Sequence, residues 1–318
     1  MLRYLHVMPF VSAILLTIAL TLPAGAADSA TADRAGYLAL ARTGWIYELR
    51  AAMTRRDLSI PVHINGRDFA GSALCIVGER PDPQTLATLR GFSALARQVF
   101  GRPLPMRYAG PEAQLCGPRR TVVLRLYSGW PPNRALSADL DWLNATYDLG
   151  LPRGRDYAAT SPGQAQTFFG RRGAATHILV QQGGEGTAND PLARSYFRSI
   201  LLEEMFQSFT FGMDVLAFHR SPRFLSKLQE VPLNIHRLPW GSAAFMRALL
   251  RSNPQRLCAF DVFMMYAVAQ APVDQTTDPA FLDWIETRFD RLDAQARDTL
   301  ADPRFSEVLD PECRAWSE

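Results

Sequence analysis

The chain has 318 residues, 47% of them hydrophobic, enough to bury a sizeable core in one large domain or two small ones. Setting aside Arg3 in the N-terminal apolar segment takes 34 basic residues to 33 against 31 acidic, a net of about +2. That balance gives no basis for nucleic acid or an anionic surface as partner. Lys227 is the only lysine. Arginine supplies every other side-chain cation, which reads as the composition of a GC-rich genome rather than as selection for phosphate or carboxylate recognition.

The first 26 residues read as a secretory signal peptide: Arg3 as the positive start, a mostly apolar run over 11–22, and Ala24-Gly25-Ala26 as a small-residue cleavage site. No later segment is apolar and long enough to span a bilayer. The expected location is periplasmic or secreted, with no stable membrane anchor after cleavage. Cys75, Cys116, Cys258 and Cys313 allow three disulfide connectivities. The pairing 75–116 with 258–313 is favoured because each bridge stays within one half of the chain.

In chain order, residues 34–56 predict a helix and 59–65 a strand ended by Asn65-Gly66. A short strand follows at 73–77, then an amphipathic helix over 83–100 with Leu86, Leu89, Phe92, Leu95 and Val99 at helical spacing. Strands are expected at 105–108 and 121–127, and a short helix capped by Ser137 over 137–146. Two more strands, 166–169 and 175–181, precede a Gly-rich loop and a long helix that Asn189-Asp190 can cap and Gly212 can end. The remainder is helical, near 221–229, 241–251, 257–270 and 278–300. The fold class is α+β, with a core over 27–215 and a helical C-terminal subdomain over 216–318.

The long helix carries the strongest functional signal. Arg194 and Arg198 mark a solvent side, and Ala193, Tyr196, Phe197 and Ile200 mark the core side. Glu203, Glu204 and Gln207 then fall in that same core-facing arc, where a carboxylate is costly unless paired, hydrogen-bonded or bound to a metal. Their i, i+1, i+4 spacing is that of HExxH in a zinc-peptidase helix, with Glu203 and Gln207 at the ligand positions and Glu204 at the general-base position. The preceding order of strands and helix also suits a zincin-like mixed sheet. Asp214 and His219 are candidate further ligands. A Glu–Gln–Asp donor set suits calcium or magnesium better than a peptidase zinc. A structural alternative pairs Glu203 with an arginine and Gln207 with backbone. No paired histidine motif, GxSxG elbow or P-loop is present. His63 and His177 read as half-buried strand residues, and Trp130 beside Pro131-Pro132 as a possible groove wall or a loop-packing residue.

The run 202–207 (Leu-Glu-Glu-Met-Phe-Gln), the exit Gly212-Met213-Asp214, the segment 221–224 and the Arg-containing helix 245–251 resemble an exported proteobacterial family called domain of unknown function 2927. The resemblance covers roughly residues 160–270. Phe209-Thr210-Phe211 departs from it, standing where Leu-Gly is expected. It implies a zincin-like domain with a Glu-Glu-x-x-Gln helix and no assigned activity. The leading expectation is therefore an envelope protein with a degenerate zincin-like site, binding a small ligand or another envelope protein without zinc catalysis. The rival is a metal-dependent hydrolase, a peptidase or amidase, in which Glu204 activates water and a divalent cation is held by Glu203, Gln207 and Asp214 or His219.

Overall fold

The computed structural model describes residues 24–47, 59–60, 62–118, 121–184, 187, 189–216 and 224–313. The signal-peptide reading of residues 1–23 and the candidate ligand His219 lie outside them. Helix α1 (Ala24–Trp45) leads into a five-stranded sheet built from β1 (Ala73–Gly78), β2 (Met106–Gly110), β3 (Thr121–Tyr127), β4 (Gly163–Gly170) and β5 (Gly173–Gln181). Its order is β2-β1-β3-β5-β4. All neighbours run parallel except the edge strand β4, which is antiparallel to β5. Helix α2 (Pro83–Phe100) connects β1 to β2, α3 (Asn133–Tyr147) lies between β3 and β4, and α4 (Pro191–Thr210) follows β5. The C-terminal part holds α5 (Ala243–Ser252), α6 (Ala259–Gln270) and α7 (Pro279–Leu300). The architecture is mixed α+β with a helical C-terminal extension.

Alternation along the strands divides the core in two. Leu74, Ile76, Val122, Leu124, Ile178 and Val180 face α2 and α4. Cys75, Val77, Val123 and Leu179 face α3. The first cluster continues through α6 and α7 to Leu309, so the segment after 216 packs into the same core as the sheet. Tyr37 of α1 joins it, with edge-to-face contacts to Phe224, Phe260 and Phe263. Helix α4 lies between the sheet and the C-terminal helices and is buried on nearly every side. Its apolar residues therefore cover most of its circumference, not one stripe. Arg198, read as solvent-facing, is largely covered, its side chain 12% exposed.

Both expected disulfides are present, Cys75–Cys116 and Cys258–Cys313. Among the described residues, no helix is long and apolar enough to cross a membrane. Four local expectations change. Residues 62–65 form no strand: Asn65 caps a 3-10 turn over Gly66–Phe69 and donates to the carbonyls of Val273 and Asp274. Those side-chain bonds take the segment's polar groups to the C-terminal part and away from a sheet. Helix α1 ends at Trp45, whose indole donates to the Thr210 carbonyl. Ser137 is inside α3, which starts four residues earlier, after Pro131-Pro132. Residues 224–228 turn, with no helix, into the short strand β7 (Gln229–Glu230), which pairs with β6 (Val215–Leu216).

Candidate acidic cleft

Asp190 caps α4 by accepting from the Leu192 N–H. At the far end Phe211, not Gly212, takes the left-handed conformation, with φ 60°. Its ring packs edge-to-face on Phe69 with centroids 5.1 Å apart. Gly212 is needed for close approach, because a Cβ there would meet the Trp45 ring at 2.8 Å and Leu228 at 2.9 Å. This turn carries the chain from Gln207 to Asp214 and back toward the helix face.

A cavity of about 320 Å³ opens along that face, walled by α4, the start of β4, Glu230 and the end of α5. Tyr196, Ser199, Glu203, Glu204 and Gln207 line it from α4. One carboxylate oxygen from each of Glu203, Asp214 and Glu230 lies within 4.8 Å of the others. This three-residue acidic cluster is capable in principle of coordinating a divalent ion. The three oxygens therefore lie no farther apart than two oxygens on opposite sides of a calcium at about 2.4 Å each. Every charged donor is a hard oxygen, which favours calcium or magnesium over zinc.

Burial raises both Glu203 and Glu204 well above the ordinary carboxylate range. Asp214 and Glu230 add repulsion at both positions, and Glu203 also hydrogen-bonds Glu230. Surrounding protein and then the Glu230 charge push Asp214 up to about 7, although that residue is exposed at the mouth. Gln207 donates its amide N–H to the Asp214 carboxylate and so orients it. Glu204 is buried against the edge strand, its Oε1 only 2.7 Å from where a Cβ on Gly163 would stand. Gly163 is required there for that reason.

Among the described residues no arginine pairs with Glu203; the cation whose charge favours its ionised form is Lys227. This lone lysine is fully buried, its Nζ donating to Ser199 Oγ at 2.6 Å and to Asn253 Oδ1 at 2.7 Å. Burial lowers its pKa to about 8, with Glu203 and Asp261 opposing the shift. Ser199 itself donates to the Pro254 carbonyl. The Ser–Lys contact therefore belongs to a hydrogen-bonded wall of the cleft, not to a nucleophile poised by a neutral amine. Asp261 fixes the turn, accepting from the N–H groups of Lys227 and Cys258 and from Ser226 Oγ.

Of the residues singled out in the sequence, Glu203, Glu204, Gln207 and Asp214 come together here. Glu230 and Lys227 were not anticipated. The one available sign was that Lys227 is unique in the chain, and composition alone could not place it. His177 and His63 stand apart from the cleft residues. His177 is buried beside Asp139, 2.9 Å away, and Asp139 also binds Arg125. His63 sits between Asp68 and Asp274. No protein-family model matches the chain, and no curated protein or solved structure shows significant similarity to it.

Proposed function

We propose that the cleft is a hard-cation site on a zincin-like scaffold, which binds its ligand through the cation without conventional zinc catalysis. The observation that carries this reading is the convergence of Glu203, Asp214 and Glu230 within 4.8 Å of one another. Three like charges at that separation destabilise one another, and a divalent cation converts the repulsion into coordination. Glu203 and Glu230 serve as ligands, Asp214 as the ligand at the mouth, and Gln207 as the group that aims it. The zincin-like part of the proposal rests on the i, i+1, i+4 residues of α4 lying beside an antiparallel edge strand, with the resemblance to domain of unknown function 2927 and the export it implies.

The edge strand suggests the ligand. Among the described residues β4 pairs on one side only, and its Gly163, Gln164 and Ala165 line the cavity. An extended peptide can add to such an edge through main-chain hydrogen bonds, which would set one of its carbonyls or carboxylates near the cation. A periplasmic envelope protein or a small carboxylate ligand fits this description. The test is the metal content of protein purified without chelator, beside Glu203→Ala. One calcium, magnesium or manganese per chain, lost in the variant, supports the reading. An equal, substoichiometric content in both forms rejects it.

A second reading, a metal-dependent peptidase or amidase, is favoured by one feature. Glu204 is buried at the general-base position with its proton affinity raised, as a base that must hold a proton requires. Chelator-sensitive turnover of peptide or amide substrates, abolished in Glu204→Gln with metal retained, would establish it. Retained metal without turnover would leave the binding function.

A further inference from the structure

Helix α4 presents a second, oppositely charged surface. Arg194 and Arg198 lie roughly opposite Glu203 and Gln207 at about 100° per residue, and with Ser195 and Arg256 they line a separate cavity of about 460 Å³. Its other walls include Asp82 and the first turn of α2, Gly183 and Gly184 after β5, Pro191 at the start of α4, and Glu307. We propose that this cavity is an oxyanion site for the phosphate-type group of a small molecule, held by Arg194, Arg198 and Arg256.

Three observations carry the assignment. First, the Nε atoms of Arg198 and Arg256 are buried without a hydrogen-bond partner. Guanidinium groups are ordinarily satisfied when buried, so each marks a donor set that is incomplete in the protein alone. Second, the carboxylates that line the cavity among the described residues, Asp82 and Glu307, already have partners. Asp82 accepts from the Thr85 N–H as the cap of α2. Glu307 is shared between Arg198, at 3.6 Å, and the Thr88 hydroxyl, at 3.1 Å. No ion pair to Arg194 or Arg256 is formed among the described residues. Third, burial disfavours the Arg198 cation, with Arg256 and Arg194 adding repulsion and Glu307 opposing it. A bound oxyanion answers the second and third directly through the terminal nitrogens of the guanidinium groups, whose planar forks match its oxygens in pairs, and it reaches the Nε atoms as those side chains turn toward it. The starts of two long helices at the rim add favourable partial charge. The cavity is larger than one phosphate, leaving room for the organic body of a phosphate or sulfate ester.

The experiment is a calorimetric titration of the whole mature protein with inorganic phosphate, and in a second arm with sulfate, at constant ionic strength. Saturable one-to-one binding is expected below about 10 mM. Arg256→Gln and Arg194→Gln should each weaken it about tenfold, while Arg288→Gln, on the exposed face of α7, leaves it unchanged. Arg194 is itself exposed, so its variant tests the site even where Arg256→Gln disturbs folding. Stronger binding of phosphate than sulfate assigns a phosphate ester, and the reverse a sulfate ester. Absence of saturable binding of either ion, or equal affinity in Arg194→Gln and Arg288→Gln, overturns the proposal.

Discussion

Glu203 and Lys227 show how one helix face sustains buried charge. Removing one partner of a buried, hydrogen-bonded charge cluster costs about 3 kcal/mol, because the remaining charges lose their compensation. Lys227→Met strips a cation from Glu203 and leaves Ser199 and Asn253 without their donor. It should lower stability by about that amount in urea unfolding without divalent ions. Glu203→Gln acts in the opposite direction. It removes one of the mutually repelling carboxylates, so the chelated variant should melt higher than chelated wild type at pH 7.5. A drop in melting temperature would show that Glu203 is stabilised by Lys227 more than it is destabilised by its acidic neighbours. Gly163 offers a steric test. A methyl there would run into Ile200 and the Glu204 carboxylate, so Gly163→Ala should cost about 2 kcal/mol and shift Glu204 out of place.

At the scale of elements, local periodicity identified what local forces decide. Helix α2 runs from Pro83 to Phe100 in sequence and structure alike, since one apolar stripe, an Asp82 cap and a terminal Gly101 all agree. Helices α5 and α7 were recognisable by their apolar stripes, and α6 by a nearly continuous apolar run of helical length. Residues 62–65 misled because Val62 and Ile64 alternate as a strand would, while Asn65 spends its side chain on the carbonyls of Val273 and Asp274. Nothing local announces partners more than 200 residues away. The site divides in the same way. Glu203, Glu204 and Gln207 stood out because polar groups interrupted a core-facing arc, and Asp214 lies just past the helix end. Glu230 arrives on β7, a two-residue strand whose pairing with β6 is tertiary in origin, and no spacing rule reaches it. The disulfides belong to this scale as well. Closing loops with sequence separations of 41 and 55 residues contributes about 4 kcal/mol each by chain entropy. Reduction should therefore lower the urea midpoint markedly, and an unchanged midpoint would show that the reduced unfolded state is already constrained.

For the whole molecule, the raised carboxylate pKa values set the sign of the pH dependence. Burial pushes Asp214 in the folded state up to about 7 from its ordinary value of 3.8, and Glu203 and Glu204 are raised in the same direction. Between those limits the folded state holds more protons than the unfolded state, so stability falls as pH rises. In chelator, the melting temperature should decline from about pH 4 to pH 7. A divalent cation competes with those protons and should reverse the slope, because its affinity grows as the carboxylates ionise. A flat profile in chelator would mean that the acidic cluster is relieved by solvent instead.

The central claim is that Glu203, Asp214 and Glu230 together hold a hard divalent cation. It is tested most directly by titrating chelator-stripped protein with calcium, magnesium and manganese at pH 7.5, in wild type and in Glu230→Gln. The variant is the decisive partner, since Glu230 owes its place in the site to the tertiary fold alone. One equivalent bound by wild type, weakened about a hundredfold in Glu230→Gln, is the predicted result. No saturable binding of any of the three ions to wild type, or equal binding by both proteins, would contradict the account.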